Sequence, residues 1–151
     1  MTQYTIIDDT TGRVLYRADQ EHAPTSVPGV TTVIEGWVTP TPTLDMARAD
    51  KLAEMKARRD AIIFGGMTWD GSRFDTDEVS QARMLGAHIS GQPRTWRLAD
   101  NTWRNLSAAE IGAVWLALDA HVQDAFAVFA VKEAQILAAE TAEAVAAVTW
   151  A

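Results

Sequence analysis

From Ser107 to Val148 the chain contains no proline, and its single glycine, Gly112, lies in the first turn of that stretch. A run of this composition has one comfortable conformation, the α-helix. At 1.5 Å rise per residue it makes a rod of roughly 60 Å. Ser107-Ala108-Ala109-Glu110 marks its start, a capping box in which the Ser107 hydroxyl satisfies one orphan N–H and Glu110 reaches back to the cap's own N–H. Ile111, Trp115, Leu118, Val122, Ala125, Phe129, Lys132, Ile136 and Ala139 then follow in steps of four and three, a heptad seam held for about four repeats. A second stripe, Val114, Phe126, Ala130 and Leu137, widens the apolar face. A rod of this length outruns any core that the other residues could build. The spacing therefore predicts coiled-coil-like oligomerisation with Ile111, Trp115, Leu118, Val122, Ala125, Phe129 and Ile136 as the interface; docking onto a partner is the other explanation.

The segments before the rod alternate between helix and hairpin. Leu44 to Phe64 is rich in Ala, Lys, Arg, Glu and Asp without proline or glycine, so helix is its preferred state. Thr43 is a suitable N-cap and Gly65-Gly66 a stop. Leu44, Arg48, Leu52, Met55, Arg59 and Ile62 give this helix a thin seam with arginines in it. Met67-Thr68-Trp69 and Ser72-Arg73-Phe74 flank Asp70-Gly71, the pair that a type I′ hairpin turn favours. Asp75 follows as an expected helix cap with Glu78 three residues on. The helix runs from about Asp77 to Ile89, with Val79, Ala82 or Arg83, Leu85 or Gly86, and Ile89 as its apolar face. Thr95 to Leu98 and Thr102 to Leu106 form a second hairpin candidate around Ala99-Asp100-Asn101, and the two hairpins could pair into one small sheet.

Upstream, Tyr4-Thr5-Ile6-Ile7, Arg13-Val14-Leu15-Tyr16 and Thr31 to Glu35 are β-prone runs, the first two joined by a loop ending in Gly12. Strands so few and short need something else to pack on. Thr39-Pro40-Thr41-Pro42-Thr43 favours an extended path that cannot continue a sheet. The expected fold is α+β, mainly α: a β attachment module over residues 1–38, a Pro/Thr linker over 39–43, and a domain over 44–151 in the order helix–hairpin–helix–hairpin–long helix.

Composition narrows the function classes. A net charge of −7 argues against general affinity for nucleic-acid backbones or anionic membrane surfaces. Absence of cysteine removes disulfides, thiolate metal sites and thiol nucleophiles. MTQYTIIDDTTGR lacks the features of a signal peptide, and the apolar runs are interrupted short of the ~20 residues a bilayer span needs. These features lead to the expectation of a soluble, intracellular product without membrane insertion.

Candidate chemistry is sparse. Asp70, Asp75, Asp77 and Glu78 do not match the ligand positions of a calcium loop, so turn and cap roles explain them. Arg94, Trp96, Arg97, Trp103 and Arg104 resemble a stacking platform for bases or sugars, although cross-strand packing would produce the same pattern. Trp96, Arg97, Trp103 and Arg104 are the candidate surface-binding residues. His22, His88 and His121 stand apart from one another and from any zinc-motif Glu. Nucleophile elbow, phosphate loop and dinucleotide fingerprint are all missing, so neither catalytic activity nor a cofactor is expected.

The order FGGMTWDGSRFDTDEVSQARMLGAH, TWRLADNTW, NLSAAEIGAVWLALDAHVQDAF resembles a bacteriophage domain of unknown function found in tail-fibre and tail-tip proteins. The likeness covers residues of about 45–140 and runs through Arg58-Arg59, Met67 to Phe74, Thr76-Asp77, Trp96 to Trp103, and Leu106 to Glu110. The first 40 residues are similar to short β modules that begin phage tail accessory proteins. The resemblance implies a virion structural protein of a tail fibre, tail tip or baseplate, assembled in the host cytoplasm and acting in host attachment. Its implied partners are itself, as a homotrimer, and other tail or baseplate proteins. The alternatives are a tail-fibre assembly chaperone outside the virion and a host-glycan-binding module using Trp96 and Trp103.

Overall fold

A computed structural model describes residues 2–10, 12–20, 24, 26–36 and 43–150. The architecture is α+β, with a small strand unit followed by helices and hairpins. The chain divides into two compact units, Met1–Lys51 with Ile136–Val148, and Leu52–Gln135 with Thr149–Ala151.

In the first unit the β-branched runs form an antiparallel sheet of β1 (Thr2–Asp8), β2 (Val14–Gln20) and β3 (Thr31–Glu35), in the order β2-β1-β3. The central strand slips register between Ile6 and Ile7, and Thr5, Ile6 and Ile7 are buried in succession. Burying the Thr5 hydroxyl is tolerable because it donates to the Gly36 carbonyl at 2.7 Å. The first turns of α1 (Leu44–Phe64) and the short α4 (Ala142–Ala146) also belong here. Thr43 caps α1, its Oγ1 accepting the Met46 N–H at 3.3 Å. Residues 39–42 of the linker expected over 39–43, and His22, lie outside the described residues.

The long C-terminal helix, α3 (Ala108–Ala138), is shorter than the composition suggests, about 46 Å. Its end is fixed by two capture events. Arg48 Nη2 donates to the Ala139 carbonyl at 2.8 Å, and the Thr141 hydroxyl accepts the Ala144 N–H at 3.1 Å to start α4 afresh.

The second unit closes around one cluster: Met67, Phe74, Met84, Ala87, Leu98, Leu106, Ile111, Val114 and Leu118 are all buried. It is built from β4 (Met67–Trp69), β5 (Ser72–Phe74), α2 (Glu78–Ser90), β6 (Arg94–Arg97), β7 (Trp103–Leu106) and the first turns of α3. Met67 pairs with Phe74 across the first hairpin, whose turn residues Asp70 and Gly71 have φ of 46° and 71°. Positive φ at both is the type I′ geometry that Asp-Gly supplies. The hairpins do not merge: each is a separate two-stranded sheet, and the Ala99 N–H to Arg73 carbonyl bond (3.0 Å) ties them.

Two further expectations change. Ile111, Leu118, Ala125, Phe129 and Ile136 are buried within the single chain, and Trp115 and Val122 are half-buried against the cluster. The heptad seam is therefore an intrachain face, with hairpins and α2 over its start and α1 beside its middle. The Arg59 guanidinium sits 4.7 Å from the Phe126 ring centroid and 4.9 Å from that of Phe129, which accounts for an arginine in the α1 seam. On α2 the buried residues are Met84 and Ala87, whereas Val79 and Ile89 are 58% and 75% exposed.

Among the described residues α3 is the one helix long and apolar enough to cross a membrane, by length and composition. Counting uninterrupted apolar runs misses this because Asp119 and Asp124 break the run without making the helix polar. The same helix supplies Ile111, Val114 and Leu118 to the core.

Candidate functional site

The register of β6 and β7 sorts the tryptophan–arginine hairpin into two faces. Trp96 lies opposite Arg104, and Arg97 opposite Trp103. Neighbouring residues of a strand point to opposite sides, so Arg94, Trp96 and Arg104 share one face and Arg97 and Trp103 the other. Trp96 packs on the core cluster, whereas Trp103 is 66% exposed with the Arg97 guanidinium 5.9 Å from its ring centroid.

Arg104, grouped with the surface-binding residues by sequence, instead holds the joint between elements. Its Nη1 donates to the Asp70 carbonyl (3.2 Å) and Ser72 Oγ (2.9 Å), and its Nη2 to Asp70 Oδ2 (2.6 Å) and Glu110 Oε1 (3.4 Å). The guanidinium also covers the Trp69 ring at 5.1 Å. Asp70 and Glu110 hold it firmly in its charged form, Asp70's hydrogen bond foremost. Glu110 completes the capping box: its Oε2 accepts from the Ser107 N–H (2.9 Å) and hydroxyl (2.8 Å), and the Ser107 hydroxyl accepts the Glu110 N–H (3.2 Å). These bonds from Ser107, aided by Arg104, hold the Glu110 carboxyl below its ordinary value.

The cap of α2 is Asp77, not Asp75. Asp77 Oδ1 accepts the N–H groups of Val79 (3.0 Å) and Ser80 (3.1 Å), and Oδ2 accepts the Ser80 hydroxyl (2.6 Å). The Ser80 hydroxyl is the largest cause holding Asp77 below its ordinary value. The reason for the shift is Thr76, which is 1% exposed. Its Oγ1 donates to the Ile63 carbonyl (2.6 Å) and accepts the Gly66 N–H (2.8 Å), binding the end of α1 to the approach to α2. With residue 76 turned inward, the next residue is the one placed to cap. Glu78 is then the first residue of α2.

Between the start of α2 and the second hairpin lies a groove of about 940 Å³. Val79, Ser80, Arg83 and Gly86 line it from the helix, with Asp75 and Asp77 at the helix entrance. Arg94, Trp96, Arg97 and Trp103 line it from the hairpin, with Thr95 and Asn101. Three of the four candidate surface-binding residues meet here, and Arg104 does not. Arg83 is expected from the sequence on the apolar face of α2, yet its spacing from Val79 and Gly86 puts the three on the side of the helix that lines the groove. Arg94 Nη2 donates to Ser90 Oγ at 3.1 Å, while Arg83 and Arg97 make no ion pair among the described residues.

The histidines have structural places. His121 Nε2 lies 2.9 Å from the Ile62 carbonyl, so this nitrogen carries the proton and satisfies a last-turn acceptor of α1. His88 stacks on Trp115, with centroids 5.9 Å apart. Among the described residues no group of three or more metal-ligating side chains converges. A smaller hollow of about 490 Å³ is lined by Glu54, Met55, Arg58 and Ala61 with Thr149 and Trp150.

No curated protein and no solved structure matches the chain. A family model described as "Domain of unknown function (DUF4376)" matches residues 46–149, more than half of the sequence, and the chain belongs to that family.

Proposed function

We propose that this chain is a structural component of a bacteriophage tail, part of a fibre, tail tip or baseplate, acting in virion assembly and host attachment. Two things support the reading. One is the order of features over residues of about 45–140, which resembles phage tail domains. The other, which carries it, is the outer face of α3. Leu116, Ala120, Ala127, Ala130, Ala134 and Leu137 are exposed, with Val131 beside them, in a stripe that runs alongside and away from the buried seam and is broken by Gln123. A helix that serves the core with one face and presents an apolar, small-residue stripe on the other is suited to assembly with further copies or with neighbouring tail proteins. Self-association is thus assigned to this outer stripe instead of to Ile111, Trp115, Leu118, Val122, Ala125, Phe129 and Ile136. The N-terminal sheet is the attachment module in this reading.

Mass spectrometry of purified particles tests the proposal. A virion component is recovered in fixed stoichiometry with other tail proteins. Presence in the lysate but absence from particles would replace it with the assembly-chaperone reading.

A further inference from the structure

We propose that the groove between α2 and the second hairpin binds a carboxylate-bearing saccharide. The inference stands on the groove alone and is independent of the virion reading.

Trp103 is the first observation. It is the one tryptophan among the described residues that is exposed, at 66%, while Trp69, Trp96 and Trp115 pack on the core. An indole turned outward at the wall of a groove offers a flat apolar face, which suits the C–H face of a sugar ring. Charge is the second. Arg83, Arg94 and Arg97 stand against Asp75 and Asp77, a local balance of +3 and −2 on a chain whose net charge is −7. Asp77 is already engaged by three donors in capping α2. Arg83 and Arg97 are free of ion pairs among the described residues, so their forked donors are available to a ligand carboxylate. Size is the third: about 940 Å³ lies in the range of small-ligand sites.

The same features disfavour a nucleic acid. Three cations on an acidic chain release few counterions, and one exposed aromatic cannot stack successive bases. An acidic peptide shares the carboxylate chemistry but has no need of the indole face. Asn101 and Ser80 also line the groove; the Ser80 hydroxyl donates to Asp77 and keeps its acceptor side for a ligand hydroxyl.

Calorimetric and saturation-transfer NMR titrations of the full chain with digalacturonate, with uncharged galactobiose and with a glutamate-rich hexapeptide test this. Digalacturonate is expected to bind at least about tenfold more tightly than either rival. Trp103→Ala, Arg83→Gln and Arg97→Gln should each weaken it about tenfold while leaving the helical circular-dichroism signal intact, since all three side chains line open surface. Arg58→Gln, in the separate hollow on α1, should leave binding unchanged. The proposal is overturned by equal affinity for the neutral sugar, by preference for the peptide, by indifference to the three groove variants, or by no binding up to about 10 mM. None of these outcomes alters whether the protein is found in particles.

Discussion

Arg104 reaches back across 34 positions to Asp70, its Nη2 on the Asp70 carboxylate at 2.6 Å and its Nη1 on the Asp70 carbonyl at 3.2 Å. One planar guanidinium thereby grips both the side chain and the backbone of a turn residue that sits at φ 46°. An ammonium cannot reproduce that fork. Arg104→Lys should therefore lower the urea midpoint nearly as far as Arg104→Gln, and an Arg104→Lys variant as stable as the parent would refute the lock.

The carboxylates of Glu110 and Asp77 give a direction for pH dependence. Both are held below their ordinary values of 4.5 and 3.8, Glu110 chiefly by the Ser107 N–H and Asp77 chiefly by the Ser80 hydroxyl. A depressed folded-state value means the unfolded chain takes up protons first, so their stabilisation is complete above the ordinary value and lost as pH falls through the folded one. Denaturation midpoints should be level from neutral pH down to about 5 and then fall. Ser107→Ala, which removes the hydroxyl but keeps the N–H, should take away only the lesser, hydroxyl-borne share of the fall due to Glu110.

Thr76 supplies a cleaner stability test because it is buried. Thr76→Val keeps the shape but leaves the Ile63 carbonyl and the Gly66 N–H without their hydroxyl partner. The expected cost is about 2 kcal/mol, read by equilibrium unfolding. Thr76→Ser, which keeps the hydroxyl, should recover more than half of it.

The two faces of α3 should respond differently to mutation. Leu118→Ala on the inner face removes buried apolar volume and should cost about 2–5 kcal/mol in the monomer. Leu116→Glu and Val131→Glu change residues that are 67% and 55% exposed, so unfolding should barely move. Light scattering after size exclusion should instead show loss of assembly for these two. Intact assembly in the double variant would exclude the outer stripe as the contact.

His121 should act through its bond to Ile62. His121→Ala removes one of two donors to the Ile62 carbonyl, the other being the Gly65 N–H at 3.3 Å, and should cost about 1 kcal/mol at most. Amide exchange in residues 60–66 should rise with it, and an unchanged exchange pattern would mean that the contact holds nothing in place.

Local patterns carried most of the element order: the Asp-Gly turn, the Gly65-Gly66 stop and the Ser107–Glu110 box each act over a few residues and are visible as such. What acts across distance was not visible. The sequence DTDE offers several capping acids, and the choice of Asp77 follows only from the inward turn of Thr76 toward Ile63. Heptad spacing includes the buried Ile111, Leu118, Ala125, Phe129 and Ile136 but not Val114, and it is the same whether the covering surface comes from the same chain or another. The groove was half legible: Trp96, Arg97 and Trp103 stood out as a cluster, whereas separating Arg104 from them needs the register Trp96↔Arg104. Arg83 joins them only because α2 lies beside that hairpin.

The grip of Arg104 on Asp70 also bears on the order in which the chain matures during synthesis. Met67 to Phe74 is a short-range hairpin that can close within microseconds of leaving the ribosome, but two strands alone are marginal in water. Its fastener is encoded 34 residues later, on the strand that also delivers Leu106 to the core and leads into Ser107 and α3. The earlier hairpin, the later hairpin and the first turns of α3 can therefore join only after β7 and then Ile111, Val114 and Leu118 have been made. A fragment ending before Arg104 lacks the fastener of its first hairpin, whereas one ending beyond Leu118 carries every residue of the buried cluster.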